Sequence, residues 1–224
     1  MNEMNETEKL ITRRAVLGGS DATFEALREL ICEDVLRRSD ARDWSVQGFG
    51  MLRTYLSRRL RLHVWDPRYR VPNVTEIHDH PWHFESTVLF GRMRNVIYKV
   101  AYAASSVNDA TSPVTHTLGR IMRGPAPTEP DEERGVVRLV VEREELIEAG
   151  RSYAMRADEL HASYPDAGTV TICRRTFAED RSADHALVCW PVGGKRVSAE
   201  PRAATHEEVQ DIIEALWPAV LNAP

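Results

Sequence analysis

Residues 74–85 read VTEIHDHPWHFE. His78 and His80 stand two apart, and in an extended chain alternate side chains share a face, so both imidazoles point the same way. Pro81 lacks the N–H that a central strand position requires, so the chain turns there. Glu85 opens the next extended run and can aim its carboxylate at the same point. Two imidazoles and a carboxylate on adjacent strands hold one side of a divalent ion and leave other positions open. A remote fourth donor is expected from an antiparallel neighbour, and His161 in ADELHASYP (157–165) is the best candidate.

Outward from this stretch the chain reads as strands. LRLHVW (60–65) alternates Leu60, Leu62 and Val64 against Arg61, His63 and Trp65. Further extended runs are FESTVLF (84–90), RMRNVIYKVA (92–101), VVRLVVE (136–142), SYAM (152–155), TVTICRRTF (169–177) and HALVCW (185–190), with Gly91 placed like a hairpin residue. The ends read differently. Phe24, Leu27, Leu30, Ile31 and Val35 recur at helical spacing, and a second helix is expected from Ser45 through Met51, Leu52 and Tyr55. THEEVQDIIEALW (205–217) has a capping box, Thr205 with Glu208, ahead of Val209, Ile212, Ile213 and Leu216. Many short strands without helices between them exclude a parallel α/β fold and predict a mainly β barrel or sandwich with terminal helices. The expected organisation is a helical segment over 1–58, a barrel over 59–192 and a C-terminal helix within 193–224.

The 224 residues carry 29 Lys+Arg against 34 Asp+Glu, a net charge of −5. That balance offers no field for phosphate backbones, and no helix pair is fused for DNA recognition, so no nucleic-acid partner is expected. No apolar run suits a membrane helix, so no membrane partner is expected, and the N-terminus has no signal-peptide core. Cys32, Cys173 and Cys189 form no CxxC pair and no disulfide framework, which points to a reducing cytoplasm.

His78-x-His80-x4-Glu85-x5-Gly91 resembles the first motif of the cupin superfamily, HxH(x)3–4E(x)6G, one residue short before the glycine. The second motif, G(x)5PxG(x)2H(x)3N, is echoed from Gly150 to Pro165: Gly150 and His161 match, while Arg156, Asp158 and Pro165 replace proline, glycine and asparagine. The span from His80 to His161 exceeds that of small cupins and implies an insertion over about 103–135. Within cupins, IHDH is most similar to the cysteine dioxygenase-like thiol dioxygenases, in which three histidines bind Fe(II). The resemblance implies a jelly-roll barrel (a double-stranded β-helix), a mononuclear non-heme Fe(II) centre with O2 as co-substrate, and a homodimer formed through the sheets. Two departures stand out. Glu85 sits where that group carries Cys or Gly, and Cys173 and Arg175 fall where its His–Tyr couple would be.

Neutral imidazoles also suit Zn, Ni and Cu, and Mn is a further choice. An oxygen-dependent metal centre with a small carboxylate substrate, such as a thiol amino acid, needs a guanidinium anchor, for which Arg59, Arg61 and Arg175 are the candidates. Trp82 and Phe84 read as walls of a dry cavity, His83 as a neighbour with an open role, and Cys173 as a pocket residue. The remaining histidines, His63, His116, His185 and His206, read as structural. A metal-dependent isomerase, epimerase or lyase without O2, or a non-catalytic cupin that binds a small ligand, are the alternatives.

Overall fold

The alternation of apolar and polar side chains in the middle of the chain is resolved as antiparallel β-sheet. A computed structural model describes residues 43–57, 59–102, 115–122, 130–177, 185–198 and 200–221. The helix expected around Phe24–Val35, and Cys32 with it, lies outside the described residues. In chain order the elements are β1 (Trp44–Gln47), β2 (Phe49–Tyr55), β3 (Leu60–Arg70), β4 (Ile77–His78), β5 (Trp82–Phe90), β6 (Arg92–Tyr102) and β7 (His116–Met122). They continue with β8 (Pro130–Glu148), β9 (Ser152–Met155), β10 (Leu160–Pro165), β11 (Val170–Phe177), β12 (His185–Pro191), β13 (Arg202–Ala203) and α1 (His206–Leu221). The mainly β expectation holds, as does the closing helix.

Two sheets share the strands. One has the order β13-β1-β2-β3-β11-β5-β9, and the other, β10-β4-β12-β7-β8-β6, closes into a barrel. The seven-stranded sheet has two unlike faces. On its outer face Leu52, Leu60, Leu62 and Ile172 are no more than 2% exposed and pack with Trp44 and with Val209 and Ile212 of α1. Each such apolar side chain removed from water is worth about 1.5–3 kcal/mol, which is what fastens the helix to the sheet. The helix start is fixed by reciprocal bonds: Glu208 N–H donates to Thr205 Oγ1 at 3.2 Å, and Thr205 N–H donates to Glu208 Oε2 at 2.8 Å.

The inner face is set by register. Tyr55 pairs with Arg61, Arg61 with Cys173, Cys173 with Ser86 and Ser86 with Tyr153, so one row of side chains crosses five strands. A parallel row passes through Arg53, His63 and Thr171. Since facing residues in a ladder share a face, both rows look into the same space between the sheets.

Two expectations are corrected. Residues 45–55 form β1 and β2, not a helix. Gly50, with φ of +85°, occupies a register shift between Phe49 and Met51, and buried Val46, Leu52 and Thr54 alternate with less buried neighbours. Period-two burial and a left-handed glycine are incompatible with a helix. The span read as an insertion contains β7, which pairs with both β12 and β8 and belongs to the barrel.

Gly91 joins β5 to β6 at φ +72°, and a Cβ built there would lie 2.6 Å from Thr169 Oγ1 and 3.0 Å from Thr169 Cα. Thr169 is itself held by donation from its hydroxyl to the Arg92 carbonyl at 2.9 Å, so it cannot retreat cheaply. Gly91→Ala is expected to cost roughly 2 kcal/mol, from backbone strain and overpacking together. Urea unfolding measures it as a lowered midpoint with unchanged slope.

Candidate metal centre

The metal-binding stretch is held by strand pairing, not by a loop. His78 on β4 faces His161 on β10 in register, and β4 pairs on its other side with β12. Between the two histidines of the IHDH run, Asp79 points the opposite way and is fully buried. Its N–H donates to the Leu187 carbonyl at 3.0 Å, and its Oδ1 accepts from Leu187 N–H at 2.7 Å. This two-point clamp fixes the strand, and alternation then delivers His78 and His80 to the cavity. The turn ahead of β10 is tied in through Asp158 N–H, which donates to the His80 carbonyl at 3.3 Å.

The three imidazoles converge. Each offers one ligand atom, and these atoms lie within 4.8 Å of one another; ring centroids are 4.9 Å apart for His78–His80 and His78–His161 and 5.1 Å for His80–His161. Among the described residues this is the group of histidine, cysteine or acidic side chains that could hold a metal. His78 Nδ1 lies 2.7 Å from the Glu76 carbonyl and His161 Nδ1 lies 3.0 Å from that of Glu159. A carbonyl only accepts, so both Nδ1 atoms carry the proton and both Nε2 lone pairs are left for a metal. His161 is 3% exposed, and burial pushes its pKa down to about 4, which keeps it neutral and able to ligate. The donor set therefore fits a divalent transition ion of imidazole preference.

Aromatic contacts fix ring orientation. Trp82 stacks on His80 at 5.4 Å and 14°, Phe84 meets the same ring edge-on at 5.4 Å, and Phe49 stacks on His78 at 5.2 Å. The cavity beside them has a volume of about 710 Å³, lined on the sheet side by Arg53, Arg61, His63, Ser86, Tyr153 and Cys173.

The expected site residues divide between two faces. His78, His80, His161, Arg61, Trp82, Phe84 and Cys173 all line the cavity. Glu85 does not join the histidines. It precedes Ser86 on β5 and so faces outward, where its Oε2 accepts from Arg174 at 2.7 Å. The correction follows from parity: with Phe84 and Ser86 inward, Glu85 cannot be. His83 is likewise outward, its Nδ1 accepting from Ala157 N–H at 2.9 Å. Arg59 is exposed and outside the cavity lining. Arg175 stands beside the cavity, its guanidinium 5.1 Å from the Trp82 ring and 5.7 Å from Tyr55.

Sequence reasoning misses Arg53 and His63 as cavity residues. Arg53 was placed on a helix. His63 was read as structural, yet its alternation with Leu62 and Val64 already separated it from the outer core. Its Nδ1 lies 3.4 Å from Thr171 Oγ1, and burial with the nearby Arg61 and Arg53 charges pushes its pKa down to about 3. Burial raises the Cys173 thiol to about 12, so it stays protonated, and raises the Tyr153 phenol to about 12. Asp158, where the cupin motif has its second glycine, takes φ of +77°, so the left-handed turn survives with an acidic residue in place of glycine.

No family profile matches the chain, and no curated protein matches it. Among solved structures it is similar to the hydroquinone 1,2-dioxygenase of Sphingomonas sp. TTNP3 with 4-hydroxybenzoate bound, at 8% identity and a TM-score of 0.30 over 55% of this chain and 62% of that one. It is similar to the hydroquinone 1,2-dioxygenase PnpCD in complex with Cd2+ and 4-hydroxybenzonitrile, at 11% identity and a TM-score of 0.29 over 56% and 62%. E. coli YcfD gives 14% identity and a TM-score of 0.29 over 74% and 40%. The chain thus spans under two thirds of the length of each of these proteins. Likenesses of this size carry no argument about chemistry, which rests on the side chains. No described helix is long and apolar enough to cross a membrane.

A buried neutral histidine makes stability depend on pH. With a folded pKa near 4 and an unfolded value near 6.5, His161 is protonated in the unfolded chain first, so its contribution is intact above about 6.5 and is lost as pH falls towards 4. The metal-free protein is expected to lose roughly 2 kcal/mol from this residue between pH 7 and pH 5. Thermal melts of wild type and His161→Gln across that range measure it, and a slope identical in both overturns the assignment.

Proposed function

We propose that this chain is a mononuclear metal cupin that uses Fe(II) and O2 to oxidise a small carboxylate-bearing molecule, with a thiol amino acid such as cysteine within that class. The observation that carries the reading is the convergence of His78, His80 and His161 at one corner of a cavity that has a guanidinium, Arg61, on another wall. His78, His80 and His161 would hold a ferrous ion, His78 and His161 through Nε2, and that ion would supply redox chemistry with O2.

The chain's own residues have separable tasks. His78 and His161 are pre-set as donors by their Nδ1–carbonyl bonds, so no proton need leave before a metal binds. Arg61 can grip a carboxylate with two parallel hydrogen bonds. It is charged at neutral pH although burial, with Arg175 and Arg53 nearby, pulls its pKa down to about 10. Trp82, Phe84 and Phe49 pack on the imidazoles and shield those faces from water, which strengthens the polar contacts beside them. Tyr153 keeps its proton at neutral pH and stands in the same row as Arg61, three ladder steps away, as a donor towards the substrate's far end.

Protein prepared without oxygen and supplied with iron is expected to bind about one Fe per chain and to consume O2 with a carboxylate substrate. His78→Ala is expected to abolish both. Glu85→Ala is expected to leave iron stoichiometry at the wild-type level, because its carboxylate is committed to Arg174. Zinc alone, retained after iron supplementation, sinks the oxygenase reading, and turnover without O2 uptake moves the assignment to an isomerase or lyase.

A further inference from the structure

Arg53 on β2 and Arg61 on β3 form a pair that no acidic side chain among the described residues neutralises. Each side chain lines the cavity, and their guanidinium carbons lie 5.2 and 5.0 Å from the same Tyr55 ring. Neither makes an ion pair with any acidic side chain among the described residues, and the Nε of each is buried without a hydrogen-bond partner. The guanidinium of Arg175 on β11 lies against the same two rings. Of the carboxylates that line the cavity, Glu76 and Glu200, the first pairs with Arg70, and Glu85 of the same sheet pairs with Arg174 on the opposite face. Like charges gathered in a half-buried wall repel, and the aromatic rings recover only part of that cost. The pKa of Arg53 and that of Arg61 are both lowered, by burial first and by neighbouring guanidiniums after it. A cost of this kind persists where a ligand relieves it.

We propose that Arg53 and Arg61 together form a binding subsite for a doubly charged anionic head group, a geminal or vicinal dicarboxylate or a phosphoryl group, on the molecule whose other end reaches the three-histidine centre. This rests on the metal-site reading for the far end and narrows its substrate from carboxylates in general to dianions. The geometry sets the reach. Arg61 lies 5.4 Å from the Trp82 ring, and that ring lies 5.4 Å from His80, so the guanidinium is no further than about 11 Å from the imidazole cluster. A head group and two to four further heavy atoms span that gap. A monoanion satisfies one fork and leaves the second guanidinium buried and uncompensated. A dianion satisfies both.

The test uses metal-free protein, so it does not depend on whether iron chemistry is right. Malonate, succinate, inorganic phosphate and acetate are titrated at constant ionic strength and followed by calorimetry and thermal shift. Malonate, succinate or phosphate is expected to bind at least tenfold more tightly than acetate, and the preferred one distinguishes a dicarboxylate from a phosphoryl head. Arg53→Gln and Arg61→Gln are each expected to lower that affinity tenfold or more while leaving the ligand-free melting temperature equal to or above wild type, since each removes a repelling charge. A lowered ligand-free melting temperature with unchanged anion affinity shows a structural arginine and overturns the proposal, as does equal binding of acetate and the dianions. If a variant fails to fold, wild-type protein is treated with phenylglyoxal with and without the preferred dianion. Protection of both Arg53 and Arg61 supports the pair, and protection of neither overturns it. Loss of iron binding with dianion binding intact would refute the metal reading alone.

Discussion

Everything at the site depends on the clamp between Asp79 and Leu187. A two-residue strand such as β4 has little pairing of its own, and the buried Asp79 carboxylate supplies what the ladder lacks by accepting Leu187 N–H while its own N–H returns the bond. A buried carboxylate is costly unless charge-assisted hydrogen bonds meet it, and here one does at 2.7 Å. Alternation then does the rest: with Asp79 turned into the protein, His78 and His80 must turn towards the cavity. The metal geometry is thus a by-product of where one acidic residue is satisfied. The register of β4 with β10 carries His161 opposite His78 in the same way.

The cavity is polarised from end to end. Three imidazoles sit at one corner, the Nδ1 protons of His78 and His161 fixed by carbonyls, and the guanidiniums of Arg61 and Arg175 lie at another, with Trp82 touching both sets. Cys173 and Tyr153 lie between and around them in protonated form. The Arg53 and Arg61 guanidiniums thus stand on the sheet wall, on strands other than β4 and β10, which carry His78 and His161. Such a division avoids like-charge repulsion between a metal and the anchor, and it gives an elongated anion a single orientation.

Much of this was legible in the chain and some was not, for identifiable reasons. The spacing of His78, His80 and Gly91 carries information because period-two alternation and a positive φ are local properties. His161 was found through Gly150 and its offset even though Arg156 and Asp158 depart from the motif, and Asp158 accepts the left-handed conformation at that position. Glu85 was misread because spacing along the chain does not reveal which side of Pro81 the alternation restarts on. Once Trp82 and Phe84 pack on His80, Glu85 is outward. Arg53 and His63 were missed because their value comes from pairing across β2 and β3, a contact that no single segment shows. Residues 45–55 misled for a related reason: with Gly48 and Gly50 close together, short apolar runs fit either period, and tertiary pairing decides.

The outward ion pair of Glu85 and Arg174 has a consequence for the charge type of the centre. β5 and β11 carry the Glu85–Arg174 pair on their outer face, and Phe84, Ser86, Cys173 and Arg175 on the inner one. A slip of β5 by one residue would bring Glu85 beside the imidazoles and convert a neutral donor set into an anionic one, which would partly cancel the ion held there and repel an incoming acid. Glu85 and Arg174 pair in the native alignment, so a contact outside the cavity favours the register that keeps this carboxylate away from the three histidines.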